Sequence, residues 1–312
     1  MLFTTTYLRS FPKVFRALTG LDAPEFDGLV RDILPRWEKA EHKRLSRRQR
    51  KREIGGGPHF ELGPIDQLLL TVIWLRRYPT QEVLGFLFGV SDTTAGRYIR
   101  RMLPLLEKSG RASMRRPDPG RPHRLNWDGL VNAIPELKAV VIDTFEQRVQ
   151  RHQERKKADT YYSGKTKAHT LKSQVAVNLF TGEFVDISQS VRGPTADLTL
   201  LKVSGLLARL PDEVHRMFDL GYVGVEQLCP NTVCLLPRRK PRNQPRPPKD
   251  AIYNTMIASC RIKVEHSIGR LRWYESLKQV DRHHRKDHSA RVVSVAGLVN
   301  RQIRSRWQKS LN

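Results

Sequence analysis

The sequence is short of acidic residues and cysteines, and it contains no long hydrophobic run. No stretch of about 18 apolar residues occurs in its 312 residues, which excludes a conventional transmembrane helix. The N-terminal segment also lacks the continuous apolar region of a secretion signal. We therefore expect a soluble cytoplasmic protein with no membrane partner.

Cysteine is too scarce to form a covalent framework. The three cysteines are Cys229, Cys234 and Cys260, and no two of them form a CxxC pair. An odd number with these spacings excludes a disulfide scaffold and fits a reducing compartment.

Basic residues greatly outnumber acidic ones. Lys and Arg total 56 against 31 Asp and Glu, a net charge of +25, and the excess is present on both sides of Gly120. Such self-repulsion is usually retained for a polyanionic partner. A ribosomal type of basic protein, or charge that serves solubility alone, is the alternative that composition leaves open.

The N-terminal third has the periodicity of helices. Residues 1–54 space their apolar side chains by threes and fours and are predicted to form a helical segment, and residues 64–110 have helix-turn-helix spacing. Pro79 ends the first helix of that second segment, and Gly89 supplies the left-handed residue that a helix end prefers. Its three expected helices are Leu68–Arg76, Gln81–Phe88 and Thr93–Leu105.

The third of these helices is the candidate recognition helix. Ser91 or Asp92 can cap its start. Its exposed face is predicted to contact double-stranded DNA through Thr93, Thr94, Arg97 and Arg100. The alternative is a bundle of three short helices without DNA contact. The basic composition favours DNA, while the choice between bases and phosphates stays open.

Beyond a Pro- and Arg-rich linker predicted over 111–135, the pattern changes to strands. Helices are expected over Thr195–Leu207 and, as the last one, Ile252–Trp273. This order is typical of a ribonuclease-H-like α/β domain with a mixed five-stranded sheet, assigned to 136–304 and preceded by the all-α helix-turn-helix domain. Its expected strands are Leu137–Asp143, Thr170–Phe180, Glu183–Ser190, Val214–Asp219 and Thr232–Leu236.

Three carboxylates indicate the chemistry. Asp143 ends a buried β-branched run, Asp219 precedes a Gly-Tyr turn, and Glu265 lies beside the apolar stripe of the last predicted helix. Two strand-end aspartates and one helical glutamate can hold a pair of divalent metal ions over a phosphodiester. Any one of them alone is more often an ordinary salt-bridge partner, so the argument depends on all three.

Basic residues accompany these carboxylates. Arg261 and Arg272 share a helix face with Glu265 and are predicted to hold DNA phosphates. The Pro-rich segment Pro237–Lys249 has six basic residues and no acidic one, and it is predicted to become ordered on DNA through Arg238, Arg239 and Lys240 rather than to be a solvated linker. A further cluster is expected to grip phosphates and stack on an unpaired base: Tyr161, Tyr162, Lys165, Lys167, His169 and Lys172.

Three motifs carry a family resemblance. They are YYSGKTKAHTLKSQ (Tyr161–Gln174), DLGYVG (Asp219–Gly224) and RIKVEHSIGRLRWY (Arg261–Tyr274). Together they closely resemble the DDE transposases of bacterial insertion sequences, in the branch related to eukaryotic Harbinger elements. The resemblance covers about residues 65–304, and it implies that Asp143, Asp219 and Glu265 are the catalytic, metal-binding triad.

The resemblance also implies an activity. Such a protein binds the terminal inverted repeats of its element, cuts there and joins the ends to target DNA, using two Mg²⁺ or Mn²⁺ ions. Hard carboxylate ligands favour these ions over zinc. Because one active site must serve two ends, we expect a homodimer or larger synaptic complex on nucleoid DNA. An inactive relative that acts as a DNA-binding regulator, and an endonuclease that cuts without joining, are the alternatives.

Two positions depart from the family pattern. The His-Asp pair that often precedes the first helix of the catalytic domain is Ala196-Asp197 here, and the Gly that follows the first catalytic Asp is absent after Asp143. A tyrosine nucleophile would need an Arg/His constellation, and the acidic triad argues against it. A metal site at His283, His284 and His288 is disfavoured by the dense cations around it.

Overall fold

A computed structural model describes residues 3–46, 60–114 and 138–311. The described helices, numbered along the chain, are α1 (Thr5–Arg9), α2 (Pro12–Thr19), α3 (Ala23–Leu45), α4 (Pro64–Arg77), α5 (Gln81–Phe88), α6 (Asp92–Ser113), α7 (Arg155–Asp159), α8 (Asp197–Ser204), α9 (Leu206–Arg209), α10 (Pro248–Leu271), α11 (Glu275–Lys278) and α12 (His288–Leu311). The described strands are β1 (Ala139–Arg148), β2 (Tyr162–Ser163), β3 (Ala168–Asn178), β4 (Phe184–Ile187), β5 (Val191–Arg192), β6 (His215–Met217) and β7 (Cys234–Leu235).

The chain divides into two compact units. One comprises Met1–Ser113, Trp273–Leu277 and Val293–Asn312, and the other comprises Met114–Arg272 and Lys278–Val292. The predicted linker lies outside the described residues from position 115 to its end. Its predicted start at 111 is wrong, because α6 continues to Ser113. The other predicted domain boundaries stay a proposal.

The first unit is helical throughout its described part. The helix-turn-helix elements are present: α5 has the predicted bounds, Gly89 follows it with a left-handed φ of 66°, and Ser91 Oγ caps α6 by accepting from the Thr94 N–H at 3.1 Å. Helix α6 runs through Pro104 and past its predicted end. The buried stripe continues with Leu105 and Leu106, so packing outweighs the local cost of the proline.

The sequence interpretation missed the last helix. It ended the helices near Trp273, whereas α12 spans His288–Leu311, and its residues from Val293 onward belong to the first unit. Apolar residues at three- and four-residue spacing are buried along it: Val292, Val295, Ala296, Val299 and Ile303. Arg301 also forms an ion pair with Asp32 of α3 at 2.6 Å. The periodicity was present in the sequence and is an ordinary helix signal.

The second unit is built on one mixed sheet, which confirms the predicted α/β class. The strand order is β2-β3-β1-β6-β7, and β4 and β5 also pair with β3. Strand β1 is antiparallel to β3 and parallel to β6. Among the described residues the sheet has seven strands rather than the predicted five, because the region after β3 forms both β4 and β5 and because Tyr162–Ser163 pairs with the start of β3.

Strand β1 does not end at Asp143, as was predicted. It continues to Arg148, pairing with β3 along its whole length. The charged Glu146 lies opposite Lys172 in that register, so its burial is compensated within the sheet. Helix α8 likewise ends earlier than predicted, at Ser204, because Gly205 takes a left-handed φ of 66°.

One face of the sheet forms the core of this unit. Val140 and Ile142 of β1 pack with Leu201 of α8 and with Phe218 and Tyr222, which follow β6. Because successive side chains of a strand alternate between faces, Asp143 points away from this core. Along the described ranges of the chain, no helix is both long and apolar enough to cross a membrane.

Candidate active site

The register of two parallel strands brings Asp143 and Asp219 together. Val141 of β1 pairs with Met217 of β6, and each aspartate lies two residues further along the chain. Asp219 keeps an extended backbone beyond the strand, with φ −95° and ψ −178°. Side chains two residues apart on a strand point to the same face, so both carboxylates leave the sheet at neighbouring positions.

Arg261 of α10 contacts both aspartates. Its Nη2 atom lies 3.4 Å from Asp143 Oδ2 and 4.0 Å from Asp219 Oδ2. These distances describe a loose ion pair rather than short hydrogen bonds. The guanidinium group therefore lies at the carboxylate pair rather than being free for the DNA phosphate that the sequence suggested.

The environment of Asp143 disfavours its charged form. Burial raises the pKa of this carboxyl above its ordinary value, and the nearby charge of Asp219 adds to the increase. The Thr144 N–H, which donates to Asp143 Oδ1 at 2.7 Å, and the charge of Arg261 oppose it. The carboxylate pair thus lacks full compensation and favours an added cation.

A third aspartate, Asp197 at the start of α8, lies beside this pair. Asp219 Oδ1 accepts from the Gly221 N–H at 2.8 Å. A Cβ atom added to Gly221 would lie 2.8 Å from Asp197 Oδ2 and 3.0 Å from Asp219 Oδ1. The two carboxylates therefore flank this glycine so closely that a side chain has no room there.

Lys172 organises the carboxylates on the other side of β1. Its Nζ lies 2.9 Å from Asp197 Oδ1, 2.8 Å from the Thr195 carbonyl oxygen and 3.4 Å from Glu146 Oε1. Thr144 Oγ1 also donates to Asp197 Oδ1 at 3.3 Å. Lys172 is only 6% exposed, so its predicted contact with DNA is wrong. It is an internal counter-ion.

Hydrogen bonds keep Glu146 ionised in this network. Although burial by itself raises the pKa of Glu146, hydrogen bonds from Thr170, Thr166 and Ser163 and the charge of Lys172 hold it below its ordinary value. The hydroxyls of Thr170 and Thr166 donate to its Oε2 at 2.8 and 2.9 Å.

Glu265 lies on α10 one helical turn after Arg261. Its neighbour Val264 is fully buried, whereas Glu265 is exposed. Across the described ranges, no three carboxylate, imidazole or thiol groups are close enough together to hold a metal ion. The structure thus brings Asp143 and Asp219 together through Arg261. Glu265 lies on the same helix as Arg261 but is exposed.

The residues present fit a divalent cation. Asp143 and Asp219 supply hard oxygen donors and already share one positive group, the Arg261 guanidinium. With Asp197 and Glu146 added, four carboxylates face two cations, Arg261 and Lys172.

The predicted recognition face is exposed in the first unit. Thr93, Arg97 and Arg100 are exposed on α6 and Thr94 is half-buried, while the intervening Ala95, Tyr98 and Ile99 are buried. No ion pair engages Arg97 or Arg100 within the described residues. Their guanidinium groups are available to an anionic partner.

The cluster before the second predicted strand separates into different environments. Lys165, Lys167 and Tyr162 are exposed, and the half-buried His169 packs edge-on against the Tyr162 ring at 5.7 Å. Tyr161 is half-buried, with the guanidinium carbons of Arg192 and Arg285 at 5.5 and 4.3 Å from its ring centre. Arg272, in turn, lies over the Phe145 ring at 5.7 Å.

The basic segment after β7 is anchored at one point. Arg238 pairs with Asp250 at 2.7 Å, its guanidinium lies over the Tyr253 ring at 4.6 Å, and its backbone exchanges two hydrogen bonds with the Asn254 side chain. Arg239 and Lys240 are exposed. Arg238 is therefore held by α10, whereas the side chains of Arg239 and Lys240 have no such partner among the described residues.

The histidines at 283–288 form no metal site in the described structure. His288 is fully buried, with Nδ1 at 2.7 Å from Ser190 Oγ and Nε2 at 3.0 Å from Gln147 Oε1. Burial, assisted by Arg291, lowers the pKa of His288 to about 3. Its imidazole is therefore neutral and structural.

Sequence reasoning did not single out several residues near the site. Asp197 was noted only as a departure in a motif, and Lys172 was assigned to DNA, because a single sequence shows neither the β1–β3 register nor the approach of α8. Arg192, Arg285 and Lys286 were not considered, because each is one basic residue among 56. Only the fold gathers them around Tyr161.

Comparisons with known proteins agree with this architecture. A family described as "DDE superfamily endonuclease" matches residues 142–300, just over half of the chain. A second, described as "Helix-turn-helix of DDE superfamily endonuclease", matches residues 60–112. A curated relative, the probable transposase for insertion sequence element IS702 from Microchaete diplosiphon, is 25% identical over 289 residues, covering 93% of this chain and 94% of the relative.

Proposed function

This chain belongs to the DDE superfamily endonucleases, and we propose that it is a transposase that binds the terminal inverted repeats of its element and catalyses DNA strand cleavage and strand transfer. Endonucleases of this family depend on divalent metal ions. The proposal assigns two Mg²⁺ or Mn²⁺ ions to this site and makes Asp143, Asp219 and Glu265 their ligands.

One observation supports the assignment most directly: Asp143 and Asp219 each lie two residues after a paired position of two parallel strands, and they share a single cation. Bringing two carboxylates together in a partly buried place is costly unless a positive charge compensates them. Arg261 compensates them only loosely, at 3.4 and 4.0 Å. Such a pair is typical of a site that binds a divalent ion.

The residues of α10 then have complementary roles. Glu265 follows Arg261 by one turn, so a change of side-chain conformation can move the arginine away and bring the carboxylate towards the pair. Asp143 and Asp219, which already contact Arg261, would hold the ions together with Glu265. When bound, such ions stabilise negative charge on the oxygens of the reacting phosphodiester. Arg261, once displaced, is positioned to hold a DNA phosphate.

Basic residues of each unit are assigned to DNA contact. The exposed face of α6, with Arg97 and Arg100, is assigned to duplex DNA of the element ends, and Lys165 and Lys167 to the strand near the carboxylates. Arg239 and Lys240, which are exposed and precede α10 in the chain, are assigned to DNA as well. Cleavage at two ends by single active sites requires at least a dimer of the chain in the complex with DNA.

The test uses the gene with its native flanking DNA. A plasmid carrying both is incubated with wild type or Asp219→Ala in Mg²⁺, Mn²⁺ or EDTA, and cuts are mapped. Metal-dependent cuts at the flanks, and joined products that the variant does not form, are expected. Cuts without joining would identify a simple endonuclease, and tight DNA binding without cutting in any metal would identify a regulator.

A further inference from the structure

A cleft of about 500 Å³ beside the candidate active site is lined by three cations. Arg192, Arg285 and Lys286 form one part of its wall, and Tyr161 and Thr195 form another. Ser190, Leu171 and Val191 complete the lining, which contains no carboxylate. The cleft is open to solvent, and the positive charge of its lining favours an anionic ligand.

Within the part of the chain that the structure describes, the three cations have no internal counter-ion. Among the described residues, no carboxylate lies within salt-bridge distance of Arg192, Arg285 or Lys286. Arg285 donates one hydrogen bond to the Gln150 carbonyl oxygen at 2.7 Å, which orients its guanidinium without neutralising it. Three uncompensated charges around one concave surface repel each other, and an anionic ligand removes that cost.

Tyr161 holds two of these cations in place. The guanidinium carbons of Arg285 and Arg192 lie 4.3 and 5.5 Å from its ring centre, within the range of cation–π contacts. The ring is therefore occupied by arginines rather than offered to a base, which differs from the stacking role predicted for it. Tyr161 is a positioning residue for the cleft.

The wall below the cleft is rigid. Ser190 Oγ contacts His288 Nδ1 at 2.7 Å and Ser173 Oγ at 2.8 Å, and the Ser190 N–H donates to Ser289 Oγ at 2.8 Å. His288 in turn contacts Gln147 of β1. A cleft with a fixed wall loses little conformational entropy when a ligand binds.

Hydrogen bonds connect the cleft to the carboxylates. Thr195 lines the cleft, and its carbonyl oxygen accepts from Lys172 Nζ at 2.8 Å. The same Nζ lies 2.9 Å from Asp197 Oδ1, which also accepts from Thr144, the residue after Asp143. The chain of contacts from Thr195 through Lys172 and Asp197 to Thr144 therefore connects the cleft to the strand that carries Asp143.

From these observations we infer that the Arg192–Arg285–Lys286 cleft binds the sugar-phosphate backbone of one DNA strand next to the nucleotide at the carboxylates. The inference rests on the proposed function and adds a strand-binding subsite to it. Guanidinium groups bind phosphodiesters in two-pronged geometry, and Lys286 adds a point charge. The ligand is thus a phosphodiester, supplied by DNA rather than by free phosphate.

The test measures the salt dependence of binding to a fluorescent single-stranded oligonucleotide. Log affinity falls linearly with log salt, and each lost phosphate contact reduces the steepness of that fall, hereafter the slope, by about 0.7. Arg192→Ala/Arg285→Ala is therefore expected to lower the slope by about 1.4. The control Arg31→Ala/Lys202→Ala removes two exposed charges outside the cleft and is expected to leave the slope unchanged. Thermal melting confirms that each variant is folded.

A matched pair at position 161 tests the positioning role. Tyr161→Phe keeps the aromatic ring and should retain the wild-type slope, whereas Tyr161→Leu should lower it, because the arginines lose their support. Equal slopes for these two variants would overturn the positioning role.

The outcomes also separate this inference from the proposed function. Wild type that neither binds nor cleaves DNA overturns both. Wild type that binds and cleaves, with Arg192→Ala/Arg285→Ala matching its control, overturns the cleft alone. The melting temperature is also measured with inorganic phosphate. If phosphate stabilises wild type but not Arg192→Ala/Arg285→Ala, and the two have the same slope, the cleft is a free-phosphate site, which overturns the DNA assignment.

Discussion

Arg261 Nη2 lies 3.4 Å from Asp143 Oδ2, and this pairing places a cation where the proposed function requires metal ions. The same guanidinium reaches Asp219 at 4.0 Å. The arginine relieves the repulsion between the two carboxylates, and a divalent ion bound there, as proposed, would take over that role. The position of the Arg261 side chain on α10 is therefore expected to depend on whether a metal ion is bound at the carboxylates.

Replacing Arg261 should make the protein depend on metal for stability. Arg261→Met is expected to cost about 1–3 kcal/mol in EDTA, because two partly buried carboxylates lose their shared partner. Saturating Mg²⁺ should reduce this loss. Melting temperatures with and without Mg²⁺ measure the effect, with Lys202→Met, an exposed lysine of α8, as the control. A destabilisation that Mg²⁺ leaves unchanged would contradict the account.

Lys172 should be essential for folding rather than for DNA contact. Lys172→Met leaves the buried Glu146 and Asp197 without a counter-ion, and breaking such a pair costs about 3–5 kcal/mol. Denaturant unfolding measures this cost. The control Lys167→Met, at an exposed position, should change stability by less than about 0.5 kcal/mol. Near-wild-type stability of Lys172→Met would show that the network is not a stabilising one.

His288 should make the protein less stable in mild acid. Its pKa is about 3 in the fold and about 6.5 in the unfolded chain, so the unfolded state binds the proton first. The contribution of neutral His288 to the free energy of unfolding is fully present above pH 6.5 and is lost as the pH falls towards 3. At pH 5 this loss amounts to about 2 kcal/mol. His288→Gln should reduce the fall in melting temperature between pH 7 and 5, leaving the part that the buried His283 contributes, and the exposed His284→Gln should not reduce it. Identical pH profiles would refute this role.

The exposed arginines of α6 should bind duplex DNA without contributing to folding. Arg97→Ala/Arg100→Ala is expected to lower the salt slope of duplex binding by about 1.8, or 0.9 per phosphate contact, with no change in melting temperature. Lys108→Ala, on the same helix and also exposed, is the control. If both variants bind like wild type, the recognition face lies elsewhere.

The sequence was informative where the pattern is local. The bounds of α5, the cap at Ser91 and the burial of β1 follow from residue types and spacing alone. Asp143 and Asp219 were also predicted to share a site, because each follows a buried run, whereas the parallel pairing that brings them together is shown only by the structure.

The remaining features depend on tertiary contacts. Strand β1 continues past Asp143 because β3 supplies Lys172 opposite Glu146, a pairing that no local pattern reveals. Lys172 and Tyr161 were predicted to contact DNA, whereas in the structure they contact internal partners, Lys172 two carboxylates and Tyr161 two arginines. The sequence alone does not distinguish a basic or aromatic residue that faces DNA from one with an internal partner. Helix α12 was not predicted, although its apolar residues recur at the three- and four-residue spacing of a helix.

The central claim is that Asp143, Asp219 and Glu265 act together on a divalent ion, and the most direct measurement is Mg²⁺-dependent DNA cleavage by matched single variants. Asp143→Asn, Asp219→Asn and Glu265→Gln should each lose at least about 1,000-fold in rate, while the exposed control Glu226→Gln stays at the wild-type rate. Near-wild-type cleavage by Glu265→Gln, the residue that the structure leaves apart from the pair, would contradict the account.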